Sequence, residues 1–322
     1  MEFGFHVPIA GGLQTAPEAA RARGCASLQI FPSTPRGWKP SPRGAEEIAA
    51  FRTARTACGV RYVFLHAIYL LNLASPDEVL RQRSIDGCCE SLSLGDAIGA
   101  DGVVVHLGSA TDAATGAGLA RLIESLRTIL ARATGPTPLL LENSAGGGNA
   151  LGNSLAQLGE IVDGVGAGPE RVGLCLDTCH AFAAGVDLTD AATREAWLTE
   201  VAARGLLPRV RLLHLNDSDG PVNSRRDNHA GIGDGQIGAA ALGALIRDPR
   251  LSHLPAILET PGRDIAADLR NLERVRALAA GATWPELPYV APDPGATVAR
   301  PSTASRTPRA CGRAPARTSR GR

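Results

Sequence analysis

VGLCLDTCHAFAAGVDL, residues Val172 to Leu188, is the stretch whose reading decides the fold. From Val172 to Leu176 it is apolar, with no polar period and no breaker, which suits a strand buried on both faces of a parallel sheet. Asp177 and His180 stand where that strand ends, and a loop of small residues follows. Parallel α/β folds bind ligands at the carboxyl ends of their strands, so a carboxylate and an imidazole there are candidate metal ligands. An aspartate that caps a turn, with a histidine packed beside it, explains the D-x-x-H pattern equally well when it is taken alone.

Outward from this stretch, apolar runs alternate with segments of helical spacing. Strands are expected at Glu2–Val7, Ser27–Phe31, Arg61–His66, Gly102–Leu107, Pro138–Asn143, Val172–Thr178, Val210–Leu215 and Ala256–Thr260. Helical spacing covers Gly44–Cys58, Leu119–Ala133, Leu155–Val165, Ala192–Ala203, Ala239–Ile246 and Ile265–Leu278. Ser75-Pro76-Asp77-Glu78 reads as a helix start, with Ser75 as cap, a first-turn proline and a capping-box glutamate. Eight strand and helix pairs predict a (β/α)8 TIM barrel over residues 1–285, and an open doubly wound sheet is the alternative. Past Trp284 the chain turns to Pro, Ala, Thr, Ser and Arg without apolar period, so residues 286–322 are expected to be a disordered tail.

The net charge of +1 conceals an asymmetry: residues 291–322 hold seven arginines and one aspartate, or +6, which leaves −5 for the rest. The body is therefore no generic binder of polyanions, and affinity for nucleic acid must come from a local feature or from bound metal. The start, MEFGFHVPIAGG, lacks a basic leader region, and no run approaches membrane-spanning length, so a cytoplasmic protein without membrane partners is expected. Of the seven cysteines, Cys25, Cys58, Cys88, Cys89 and Cys175 lie inside predicted helices or strands and read as buried thiols of a reducing compartment. Cys179 lies nearer the candidate site without a CxxC partner and reads as a bystander.

The ends of the strands carry the chemistry. From the third strand onward they present His66, His106, Glu142, Asp177, His214 and Glu259, although His, Asp and Glu together make only about 12% of the chain. His180 follows Asp177 by three, and Asp227 and His229 lie in RRDNHAGIGDGQIG after the seventh strand. Neutral imidazoles and carboxylates massed in one cavity otherwise require extensive hydrogen bonding or shifted pKa values. Nitrogen and oxygen donors without thiolate suit Zn²⁺ at catalytic sites, and Mn²⁺ or Fe²⁺ also fits. Nine such ligands exceed the need of one or two ions that keep an open position, so three is the natural number. Three divalent ions also turn the mouth positive, which admits an anionic phosphodiester.

The motifs HAIYLLNL from His66, LLEN around Glu142, DTCHAFAAG from Asp177, HLNDS from His214 and DNH from Asp227 with its IGxG continuation resemble those of endonuclease IV, the zinc-dependent apurinic/apyrimidinic endonuclease. The resemblance spans about residues 2 to 280. It implies three Zn²⁺: one on His66, His106 and Glu142; a second on Glu142, Asp177, His214 and Glu259; a third on His180, Asp227 and His229. It implies further that a hydroxide bridging the first two ions attacks phosphorus, with Glu142 and Glu259 as catalytic carboxylates. The substrate would be double-stranded DNA cut 5′ of an abasic site, leaving a 3′-hydroxyl and a 5′-deoxyribose phosphate, and the enzyme would act as a monomer in DNA repair. A baseless nucleotide has lost stacking and pairing, so turning it out of the duplex is cheap. By the same resemblance Arg36, Tyr69, Leu70 and Asn228 would face DNA, Tyr69 and Leu70 having the alternative of folding onto the barrel, while Trp38 packs.

Two other readings compete. Glu142, Asp177, His214 and Glu259 alone would make the one-metal carboxylate site of a sugar isomerase or epimerase, which leaves five ligand residues without a task. A non-catalytic lesion binder with structural metals is the other.

Several departures from the family pattern concern charge near the DNA. Pro32 and Ser33 stand where the family often has Lys and Asn, Asn228 where Arg is usual, and Asp234 at a position that is often basic. Phosphate affinity should be weaker for it. The expected slope of log K against log salt for an abasic duplex is shallower than the roughly −9 of a ten-phosphate contact, and a slope that steep would contradict this reading.

Overall fold

The β-branched, leucine and phenylalanine runs form the strands that the sequence predicts. The computed structural model describes residues 1–39, 42–112, 115–261 and 264–282; the expected tail at 286–322 lies outside the described residues. In chain order the strands are β1 (Glu2–His6), β2 (Ser27–Ile30), β3 (Tyr62–His66), β4 (Gly102–His106), β5 (Leu139–Glu142), β6 (Val172–Asp177), β7 (Val210–His214), two short strands β8 (Asp217–Ser218) and β9 (His229–Ala230), and β10 (Pro255–Leu258). All but β8 and β9 are parallel and close into a barrel in the order β1-β10-β7-β6-β5-β4-β3-β2. Thus the barrel reading holds and the open sheet does not.

Helices α1 (Thr15–Ala22), α2 (Ala45–Ala57), α3 (Glu78–Ile98), α4 (Thr115–Arg132), α5 (Leu155–Val165), α6 (Thr178–Ala183), α7 (Ala191–Ala203), α8 (Gly238–Arg247) and α9 (Ile265–Ala279) connect them. Two of these depart from the expectations. The stretch after β6 is not a loop but the single-turn α6, capped by Asp177, whose carboxylate accepts the His180 N–H at 2.8 Å. The cap of α3 is Asp77 rather than Ser75: Asp77 Oδ1 accepts from Val79 and Leu80, and Ser75 Oγ instead accepts the N–H of Asp77. Of the cysteines expected inside, Cys25, Cys88 and Cys175 are buried, whereas Cys58 and Cys89 are half-buried; all are free thiols. Among the described residues no helix is long and apolar enough to cross a membrane.

The barrel interior explains where the site must be. Phe64, Val104, Leu140, Cys175, Leu212 and Ile257, from six strands, form an apolar cluster of their own, separate from the residues that pack outward on the helices. Side chains two apart on a strand share a face. Two residues beyond that layer stand His66, His106, Glu142, Asp177, His214 and Glu259, which places all six on the inner face one layer nearer the carboxyl ends. The layer is tight: a Cβ added to Gly102 or Gly173 would come within 2.6 or 2.7 Å of a Leu140 methyl, so the leucine is seated between neighbouring strands.

Leu140→Ala should therefore cost about 3 kcal/mol in denaturant unfolding, since strands fixed on both sides cannot collapse into the hole. A loss below about 1 kcal/mol would show that this layer does not support the barrel.

Candidate metal centre

Nine polar side chains converge above the apolar layer. Five close the strands β3 to β7, Glu259 follows β10, and His180 comes from α6. Asp227 and His229 are brought back over the mouth by the antiparallel pairing of β8 with β9, in which Ser218 lies opposite His229. Asp217 makes that return possible. Its buried carboxylate accepts the N–H groups of Ser218, Gly233, Gly235, Ile237 and Gly238 at 2.8 to 3.2 Å, winding the IGDGQIG loop around it. Such a nest satisfies a buried charge with backbone dipoles.

Glu142 occupies the centre. Its Oε2 lies 3.3 Å from Nε2 of both His66 and His106, while its Oε1 lies 2.9 Å from His214 Nδ1 and 3.4 Å from His180 Nδ1. Glu259 Oε2 is 3.3 Å from His214 Nδ1, and Asp227 Oδ1 is 3.2 Å from His180 Nε2 and 3.0 Å from His229 Nε2. Asp177 divides its work: Oδ1 caps α6, and Oδ2 turns to the cavity, 3.9 Å from His214 and 3.8 Å from His229. The capping reading of this aspartate is thus realised by one oxygen, while the other faces the cavity where the ligand reading would need it.

Three groups of ligand atoms each fall within 4.8 Å of one another: His66, His106 and Glu142; Glu142, Asp177, His214 and Glu259; His180, Asp227 and His229. The donor set fits divalent cations. His66 Nδ1 lies 2.7 Å from the Ala67 carbonyl, His180 Nδ1 2.8 Å from that of Asn143, His229 Nδ1 3.0 Å from that of Glu259, and His214 Nε2 2.9 Å from Gln29 Oε1. A carbonyl can only accept, so each of these nitrogens carries a proton and the other ring nitrogen is the one turned to the cavity, where a cation would require it unprotonated. This outer tether is how proteins orient metal-binding imidazoles.

Without cations the charges balance with protons. Burial opposes charge on His180, but Asp177, Asp227 and Glu142 outweigh it and hold its pKa well above the usual range. His214 is raised in the same way, burial being outweighed by Cys175, Glu259 and Glu142, and His229 rises to about 9 despite burial because of Asp227, Asp177 and Glu259. His106 goes the other way: burial pulls it down to about 4. Burial works against Glu142, Glu259 and Asp227 as carboxylates, yet the surrounding imidazoles keep all three below the ordinary carboxylate range.

Cys179 also comes near, within 4.8 Å of Asp177 and His229. Burial and Asp177 raise its thiol, and Sγ lies 3.5 Å from the Asn228 carbonyl, so it stays a protonated donor. Tyr69 is exposed at 52% and its ring stands 5.1 to 5.9 Å from those of Phe31, His66 and His106, at the edge of the mouth. Leu70 is partly buried on the core, the second of its two expected placements. Arg36 and Asn228 are exposed, and Trp38 packs under the Arg83 guanidinium at 4.5 Å. Asp234, read from sequence as added negative charge, is paired with Arg274 at 2.6 Å.

Four inner residues went unread in the sequence: His6, Gln29, Asn143 and Asn216. Asn143 and Asn216 lock the ligands' backbone, Asn143 by accepting Asp177 N–H at 2.7 Å and Asn216 by accepting Glu259 N–H at 2.8 Å. Asn216 Nδ2 also donates to Asp177 Oδ2 at 2.7 Å. His6 was within reach of the strand-end rule, since it closes β1 as His66 closes β3; the polar Gln29 inside an apolar strand was the other signal.

Residues 17–284 match the family described as xylose isomerase-like TIM barrel. The chain is 40% identical over 281 residues to the probable endonuclease 4 of Chloroflexus aggregans, covering 86% of this chain and 97% of that one. The crystal structure of endonuclease IV from Thermus thermophilus superposes with a TM-score of 0.78 at 36% identity, covering 88% of this chain and all of that one. D-psicose 3-epimerase from Clostridium cellulolyticum superposes at 0.64 with 15% identity over 87% of this chain and 99% of that one, a likeness of fold alone.

Cations entering this cluster must displace the protons on His180, His214 and His229. At pH 7 metal binding should release close to one proton from each, read from the dependence of calorimetric heat on buffer ionisation enthalpy. Release should diminish as pH rises through about 9, where His229 deprotonates unaided, and affinity should fall as pH falls. No proton release at pH 7 would show that these imidazoles do not meet the metal.

Proposed function

The chain belongs to the endonuclease IV family, and from that premise we propose that it is a DNA repair endonuclease that hydrolyses the phosphodiester 5′ of abasic sites in double-stranded DNA. The observation that carries this reading is the two-sided Glu142, with one oxygen turned to His66 and His106 and the other to His214 and His180. A carboxylate so placed can join two cations. His66 and His106 would complete the first position, Asp177, His214 and Glu259 the second, and His180, Asp227 and His229 a third. Bound there, Zn²⁺, or Mn²⁺ or Fe²⁺ on the same donors, supplies a nucleophile at neutral pH by acidifying water and takes up charge that develops on phosphate oxygens.

The chain's own residues do the rest. The hydrogen-bonded outer layer of Ala67, Asn143, Gln29 and Glu259 carbonyl oxygens holds the imidazoles without reorganisation. Asn216 fixes Asp177 and Glu259 from one amide. Tyr69, half exposed but with its phenol kept protonated by desolvation on its packed side and by Glu259, Glu142 and Asp227, offers a neutral aromatic face at the mouth against which a duplex gap can rest. Arg36 is exposed in the adjacent loop, whose Pro35 carbonyl accepts the Tyr69 N–H at 3.0 Å, so the two loops would meet the DNA as one body. Products of this cut are a 3′-hydroxyl and a 5′-deoxyribose phosphate.

A sugar isomerase would use the second group alone. The likeness to an epimerase extends to the barrel, while the surplus ligands His66, His106, His180, Asp227 and His229 gather in the same mouth, which favours the endonuclease.

Incubation with a duplex holding one abasic analogue should give a single nick on its 5′ side, abolished by prolonged chelation and restored by Zn²⁺. Binding without a nick would favour the lesion-binder reading. Glu142→Gln, which spoils two cation positions together, should lower the rate by roughly a hundredfold or more with the fold retained; full activity would refute the joint role.

A further inference from the structure

Of the nine candidate ligands, Asp227 has the least support. Its side chain is 48% exposed, more than any other of the set, and it stands in irregular backbone outside strand and helix. Among the described residues its carboxylate meets only His180 and His229, whereas Asp177 and Glu259 are each bound by an amide, from Asn216 and Gln29. The backbone must therefore set where Asp227 stands.

That backbone belongs to the hairpin closed by β8 and β9, at whose base the Asp219 N–H also donates to the Asn228 carbonyl at 2.9 Å. Beyond the base the chain is fixed at two points. The N–H groups of Asn223 and Arg225 donate to the carbonyls of Phe182 and Ala183, both at 3.0 Å. Those carbonyls end α6, and a helix end needs such outside donors. Since α6 carries His180, the loop joins Asp227 to the element that holds its partner imidazole.

The anchoring runs against conformational preference. Asn223 at φ 62° and Arg225 at φ 57° are the only non-glycine residues with positive φ among the described residues. Asparagine tolerates that region, but arginine holds it only where its surroundings enforce it, and such positions gather at functional sites. Here Arg225 Nε donates to Asn223 Oδ1 at 3.0 Å, and the residue rests on the glycine loop that follows β5. A Cβ built on Gly146 would come within 2.6 Å of Arg225 Nη1, and one on Gly147 within 2.9 Å of the Arg225 carbonyl oxygen. Arg225 thus touches both α6 and the loop beyond Glu142, two residues before Asp227.

We propose that Arg225 is a positioning residue for the third cation position, its left-handed backbone and braced guanidinium holding Asp227 where it meets His180 and His229. This rests on the reading of the nine side chains as a three-cation site. Loss of a charge and loss of a positioning group act in opposite directions. A guanidinium repels a nearby cation, so its removal would by charge alone tighten cation binding, whereas removal of a support for a ligand loosens it.

The test titrates a chelating indicator against the zinc-loaded full-length protein, and repeats the series with Co²⁺, whose visible absorption reports the surroundings of each ion as it leaves. Three ions are expected in the wild type. Arg225→Gly, which suits the left-handed backbone, should keep two ions and the thermal midpoint while the third is held about tenfold to a hundredfold more weakly. Arg225→Lys, which keeps the charge and the stem without the Nε donor, should recover part of that loss. Arg225→Asn accepts the same backbone and gives the same comparison if the glycine variant does not fold. Arg226→Gln, at the exposed neighbour, should hold the third ion no more weakly than the wild type. A third ion held equally or more tightly in Arg225→Gly, an equal loosening of all three, or the same loss in Arg226→Gln would overturn the proposal. A wild-type protein without a third ion would defeat the three-cation reading, and the proposal with it.

Discussion

Four carboxylates and five imidazoles crowd one barrel mouth, and the need to neutralise that crowd governs the structure above the apolar layer. Glu142 has a side chain 1% exposed and so cannot shed its charge into water. Its stability as an anion depends on the imidazoles around it, His106 and His66 at one oxygen and His214 at the other. The same charges that make the cluster costly to bury favour divalent cations and oppose an anion as long as they are not neutralised.

Geometry at the strand ends turns this electrostatic requirement into a site. A strand alternates its faces, so one apolar layer inside the barrel dictates that the next inward residues share a plane, and sequence has filled that plane with His6, Gln29, His66, His106, Glu142, Asp177, His214 and Glu259. The remaining ligands arrive by different routes. His180 is delivered by a one-turn helix that Asp177 itself caps, and Asp227 and His229 by a hairpin wound on the buried Asp217. Ligand and scaffold are therefore not separable here, since Asp177 serves as both.

The strands and six of the nine candidate ligands were legible because they follow a local rule: an apolar run, then a polar residue at its end. Strand limits agree within a residue or two, and the ligand residues at β3 to β7 are terminal or nearly so. What stayed hidden depends on contacts distant in sequence. The α6 turn exists because Asp177 can cap it, Asp77 displaces Ser75 as the α3 cap because its carboxylate reaches two N–H groups, and Asp234 is neutralised by Arg274 forty residues away. Gln29 and Asn216 look like isolated polar residues in the sequence, and only the closed barrel shows that each touches two or more ligands.

The central claim is that the nine side chains form a polynuclear cation site rather than a proton-filled polar core. Elemental analysis of the purified full-length protein, after equilibration with zinc and removal of loosely held ions, tests it most directly. Three metal ions per chain are expected. One ion per chain or none would contradict the claim.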